Sequence, residues 1–144
     1  VHYAMKRIID DRNIDSSWHS LRYINVVWAS RDVSLVASLE ENFLEILRVT
    51  DKSKDIHLSI DIYITGGGKE EKNKNQGYLK ALSRSRNVRL ASGRPTAEAV
   101  MRFIPSDEIS STCAHLCGPT SMLYPFQKAF YSAGVDYHDE VFHL

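Results

Sequence analysis

No stretch of this chain is apolar for long enough to cross a bilayer, which takes ~20 residues. Nor does it carry an excess of one charge. Lys and Arg number 18 and Asp and Glu number 18, so overall charge directs it neither to nucleic acid nor to an anionic membrane surface. Cysteine is scarce: Cys113 and Cys117 are the only two. On one strand they would stand ~13 Å apart at ~3.3 Å per residue, beyond the ~7 Å between Cα atoms that a disulfide tolerates. That excludes a disulfide framework, fits a reducing compartment, and leaves no Cys-x-x-x-Cys metal site. The six histidines show no metal-ligand spacing, and His115 reads as a satisfied core residue. Also missing are the Gly-x-Gly-x-x-Gly of a dinucleotide fold and the Gly-x-x-x-x-Gly-Lys-Ser/Thr of a phosphate loop. Gly66-Gly67-Gly68-Lys69 resembles the latter only in composition and runs into charge, not into a helix.

What is present is an alternation of helical and strand patterns sized for one domain over residues 1–144. Val1, Ala4, Met5, Ile8 and Ile9 recur with helical spacing. Arg22 to Ala29 is a mostly continuous apolar run, as in a strand covered on both faces. Asp32 is placed to cap a helix marked by Leu35, Val36, Leu39, Phe43, Leu44 and Leu47. Ile56 to Ile64 is β-branched and partly alternating, a strand pattern. Gly66 to Gln76 is polar and reads as a loop. Val88 to Ala91 is a short extended piece before Gly93-Arg94-Pro95. Thr96 caps a helix carrying Ala99, Val100 and Phe103. A last strand falls near Val135 to Leu144. Helices alternating with buried strands predict an α/β fold with a mainly parallel sheet.

The richest segment begins at Ser111. Ser111 to Cys117 reads as a buried strand, and Gly118-Pro119 opens a helix with Met122, Leu123, Phe126, Ala129, Phe130 and Ala133 on its apolar face. Pro119 suits the first helical position, Gly134 the stop after the last, and Met122 the core. Cys117 and Gly118 therefore fall at the carboxyl end of a strand beside a helix start, where open α/β sheets bind ligands. A thiol beside bare backbone would let a flat ring approach.

Four segments in order carry a family resemblance: the strand into Val27-Trp28-Ala29-Ser30-Arg31-Asp32, Ile62-Tyr63-Ile64-Thr65, Gly93-Arg94-Pro95, and Cys117-Gly118-Pro119 with Met122. Together they resemble the nicotinamide-nucleotide-binding domain of the ferredoxin–NADP reductase superfamily, in the branch of ferric-chelate reductases and NADPH oxidases. The resemblance implies a Rossmann-like, doubly wound parallel sheet. The family's first strand and its Gly-x-Gly-x-Thr-Pro phosphate loop would precede Val1, so the chain is expected to be the carboxy-terminal part of a larger protein. In that family the first strand is central, shared by the Val26 and Ala114 strands. Without it, unpaired backbone groups would cost roughly 1–3 kcal/mol each if buried, so the chain alone is expected to fold poorly and to be inactive.

Site roles follow from the resemblance. Ser30 and Arg31 would meet the adenosine ribose and its 2′-phosphate, a guanidinium offering phosphate a permanently charged fork. Thr65 would line the adenine side. Gly93, Arg94 and Pro95 would hold the nucleotide phosphates. Cys117 would lie at the nicotinamide C4 and orient it for hydride transfer, with Gly118 and Pro119 shaping that contact. Phe142 would stack on the flavin, although His143 and Leu144 follow it. The implied cofactors are NADPH, an FAD held mainly by an upstream domain, and haem in a membrane domain. The expected location is the cytosolic face of a membrane, with no nucleic-acid partner. The expected activity is that of a ferric-chelate reductase, because Ser34-Leu35 follows Arg31-Asp32 and Val135-Asp136-Tyr137 leads to Phe142. Alternatives are a superoxide-generating NADPH oxidase with cytosolic regulatory subunits, a soluble flavin reductase, and a non-catalytic nucleotide-binding module.

Overall fold

The computed structural model describes residues 21–52, 56–66 and 79–141. The helix expected over Val1 to Ile9, the loop beyond Gly66 as far as residue 78, and Phe142 lie outside them. The chain forms two compact units, Val1–Arg94 and Pro95–Leu144.

The first unit contains β1 (Tyr23–Ser30), α1 (Val33–Ser38), α2 (Glu40–Lys52), β2 (His57–Ile64), a 3₁₀ turn (Leu82–Arg84) and β3 (Val88–Ser92). The strand order is β1-β2-β3 and both ladders are parallel. Where one long helix was expected after Asp32, there are two. The chain leaves helical geometry at Leu39 (φ −101°, ψ 2°). Glu40 and Glu41 then stand in the first turn of α2, where carboxylates favour the positive helix end. Glu40 also accepts a hydrogen bond from the Leu82 N–H at 3.1 Å, tying the break to the 3₁₀ turn.

Period-two alternation sends Leu58, Ile60 and Ile62 of β2 to one face, where they pack with Val36, Phe43, Ile46, Leu47, Leu79 and Leu82. The strand covered on both faces is β2, the middle one, and not β1 as its apolar run suggests. In β1 only Ser30 is buried, and among the described residues β1 pairs with β2 alone.

The opposite face of β2 carries a buried charge. Asp61 is 4% exposed and its Oδ1 accepts a hydrogen bond from Arg89 Nε at 2.6 Å, from the paired position on β3. Arg89 Nη2 donates to the Tyr63 hydroxyl at 2.7 Å, and the guanidinium lies 5.6 Å from the centre of that ring. The hydrogen bond to Asp61 raises the pKa of Arg89 above its ordinary value. Asp61 Oδ2 is buried without a hydrogen-bond partner. Arg89→Met should therefore destabilise the fold by roughly 1–3 kcal/mol, the cost of stranding a buried acceptor. Adding Asp61→Asn should recover part of that loss. Urea midpoints that do not move with Arg89→Met would contradict this role.

The second unit contains α3 (Ala97–Met101), a 3₁₀ turn (Ile109–Ser111), β4 (Cys113–Gly118), α4 (Thr120–Ala133) and β5 (Asp136–Val141), with β4 and β5 parallel. Thr96 caps α3 as its sequence suggests, its Oγ1 accepting from the Ala99 N–H at 3.2 Å. The helix stops at Met101, so Phe103 lies past its end. Phe126, Phe130 and Val135 form the core, joined by Val100, Ile104, Ala114 and Leu116. Gly134 ends α4 with φ 78°, a left-handed conformation that glycine adopts without a Cβ penalty.

Three sequence expectations need correction here. Pro119 is the N-cap of α4 and not its first residue, with extended backbone (φ −69°, ψ 146°). β4 is buried on one face only, so His115 is exposed and not a core residue. Met122 is 38% exposed and outside the core. Among the described residues, no helix is long and apolar enough to cross a membrane.

Candidate functional site

In the first unit, parallel pairing brings the carboxyl ends of β1, β2 and β3 to one edge. Two hydrogen bonds carry the ladders past the strand ends: Thr65 N–H to Ser30 O at 2.8 Å, and Gly93 N–H to Ile64 O at 2.9 Å. Arg31, Thr65 and Arg94 therefore leave the sheet side by side. β1 and β3 flank β2, so the backbones of Arg31 and Arg94 stand about two strand spacings apart, ~10 Å. Both arginines are exposed. Gly93 has φ 93°, and among the described residues, its two chain neighbours aside, no heavy atom comes within 4 Å of where its Cβ would be. The glycine is thus required by the backbone conformation of this turn and not by a close neighbour.

Ser30 shapes the turn. It is 8% exposed, its hydroxyl donates to Asp32 O at 3.0 Å, and it accepts from Asp32 N–H at 3.1 Å. Asp32 in turn caps α1, Oδ1 accepting from the Ser34 N–H at 2.8 Å and from the Ser34 hydroxyl at 2.6 Å. Those bonds, the hydroxyl's first, hold the Asp32 carboxyl below its ordinary pKa of 3.8. A depressed folded pKa means that the cap stabilises the fold above pH 3.8 and loses its contribution as pH falls through the lowered value. Asp32→Asn should flatten that acid limb of the stability–pH curve. An unchanged limb would mean that the cap does not contribute.

Sequence reasoning missed Gly66. A Cβ there would lie 2.6 Å from Arg31 O and 3.4 Å from Arg31 C. The signal was present, since Gly66 directly follows the β2 carboxyl end, but the run of three glycines reads as a loop.

In the second unit, Cys117 is the penultimate residue of β4, with its side chain exposed. Its Sγ is 3.9 Å from Glu140 Oε2, at the paired position on β5. The parallel register puts Cys113, His115 and Cys117 opposite Asp136, His138 and Glu140. All six are exposed, and the rings of His115 and His138 stack at 5.5 Å. Among the described residues, no three His, Cys, Asp or Glu side chains are set to hold a metal ion. Glu140 could not be found from the sequence, because its position opposite Cys117 depends on strand register.

Gly118 is buried and passes beneath the end of the Met122 side chain, so that a Cβ on Gly118 would overlap Met122 Cε. Helical side chains point back toward the helix start. The spacing in Cys-Gly-Pro-x-x-Met therefore lets the methionine cover the glycine at the strand end. Pro119, between them, sets the extended entry into α4.

Parallel strands alternating with helices in each unit make this an α/β domain of Rossmann-like type. More particularly, the chain belongs to the ferric reductase NAD-binding domain family, whose model matches residues 5–130. That makes it an NAD(P)H-binding, oxidoreductase-type domain of a ferric-reductase-like protein. No curated protein and no solved structure gives a significant match.

Proposed function

We propose that this domain binds NADPH and presents its nicotinamide to FAD in a membrane ferric-chelate reductase. The observation that carries the reading is the family match over residues 5–130, within which the Arg31 and Arg94 turns share one sheet edge. Exposed guanidinium groups there suit the anionic phosphates of a dinucleotide. Arg31 takes the 2′-phosphate and Arg94 a backbone phosphate. Gly93 and Pro95 set the turn, and Thr65 lines the adenine side. Cys117 positions the nicotinamide C4, with Gly118 and Pro119 shaping that contact. Phe142 covers the flavin until nicotinamide arrives.

FAD, when bound, accepts the hydride from NADPH and passes electrons on singly. We place FAD in a separate upstream domain and haem in a membrane domain, with this domain at the cytosolic face. This chain's contribution is binding and orientation, since the cofactors carry the redox chemistry. The phosphate contacts supply affinity, and Cys117 fixes the ring where the hydride leaves.

The test is ferric-chelate reduction by the full-length protein with NADPH as donor under anaerobic conditions. Iron reduction that needs both FAD and NADPH is expected. In a parallel assay in air, superoxide formation without iron reduction in the anaerobic one would move the reading to an oxidase. No oxidation of NADPH under any acceptor would leave only a binding module.

A further inference from the structure

We infer that Gly66 is a positioning residue for Arg31, and thereby sets discrimination between nucleotides with and without a 2′-phosphate. The inference rests on the proposed role of Arg31. It adds a residue that makes no contact with the nucleotide itself. The backbone on either side of Arg31 is held from three directions. The Ser30 hydroxyl bonds both backbone groups of Asp32 at 3.0 and 3.1 Å. Asp32 is fixed to the start of α1 through Ser34. The Thr65 N–H holds Ser30 O at 2.8 Å.

The fourth side is Gly66, whose Cα occupies the space in front of the Arg31 carbonyl. An added methyl would meet backbone atoms at 2.6, 3.4 and 3.5 Å. Backbone cannot swing aside as a side-chain tip can. Because Ser30 and Asp32 are tied, relief must come from rotation of the Arg31 peptide or withdrawal of the segment at Gly66. Either redirects the guanidinium relative to the β2 and β3 ends. A bidentate contact depends on direction as well as charge, so the 2′-phosphate contact suffers while binding of the rest of the nucleotide persists.

The experiment measures Kd for NADPH and NADH in the full-length protein carrying Gly66→Ala, Arg31→Ala, both together, or Gly134→Ala. Gly134 lies at the end of α4 with φ 78°, so its substitution lowers stability through strain alone. The expected result is a fall of about tenfold or more in the NADPH preference for Gly66→Ala, with no further fall in the double variant. Gly134→Ala should lower the thermal midpoint and leave the preference as in the wild type. If Gly66→Ala does not fold, Ser30→Ala loosens the same turn and should lower the preference in its place. An unchanged preference in Gly66→Ala, or in Ser30→Ala where that variant is used, overturns the inference. A wild type without NADPH preference, or an Arg31→Ala variant that keeps it, overturns the role of Arg31 first and this inference with it.

Discussion

Cys117→Ala in the full-length protein should slow flavin reduction by NADPH by about a hundredfold, the loss that a misplacement of ~1 Å at a reacting centre can cause. NADPH affinity should stay within a few-fold, and flavin content should not change. The argument is geometric. Cys117 stands exposed near the carboxyl end of β4, beside a buried glycine covered by the tip of Met122 and flanked by Leu123. An alanine keeps the backbone but removes the sulfur against which, in the proposed function, the ring would rest. The thiol is exposed and outside the described core clusters, with its Sγ 3.9 Å from Glu140 Oε2. Rapid-mixing absorbance at the flavin band measures the step directly, and equal rates in wild type and variant would remove Cys117 from the mechanism.

Arg31→Ala should weaken NADPH by roughly 10–100-fold, which corresponds to losing a charged hydrogen-bond pair of about 1.5–3 kcal/mol. NADH, without the 2′-phosphate, should weaken by less than about threefold. Arg31 is exposed and bracketed by residues that are already occupied: Ser30 by its turn and Asp32 by its helix cap. Those commitments bear on specificity. A free carboxylate at this point would favour an unmodified ribose 2′-OH, but Asp32 spends its Oδ1 on Ser34. Those bonds hold the carboxylate at the start of α1, and in the proposed function the arginine addresses the 2′ position. Raising the salt concentration should erode the NADPH preference, since an exposed contact is screened. Equal losses for the two nucleotides would show that Arg31 does not read the phosphate.

Local pattern made much of this legible. Period and punctuation marked every strand the structure describes, and both Asp32 and Thr96 cap the helices their positions suggest. The parallel arrangement followed from alternation of helices and strands. What could not be read depended on partners distant in sequence. The apolar run from Arg22 suggested burial on both faces, but what covers a strand is decided by its partners, and among the described residues β1 pairs with β2 alone. His115 looked like a core residue because it sits inside an apolar run, yet alternation turns it to the exposed face with Cys113 and Cys117.

Asp61 gave no sign of its burial, because the charge that accompanies it, Arg89, is 28 positions away. The same limit applied at the site. Arg31 and Arg94 were visible as motifs, whereas Gly66 against the Arg31 carbonyl and Glu140 opposite Cys117 required register.

The most direct test of the account is anaerobic mixing of the full-length protein with NADPH while the flavin absorbance is followed. Rapid bleaching, faster than with an equal concentration of NADH and strongly slowed by Cys117→Ala, is the predicted result. A flavin that stays oxidised in the presence of saturating NADPH would contradict the claim that this domain delivers hydride.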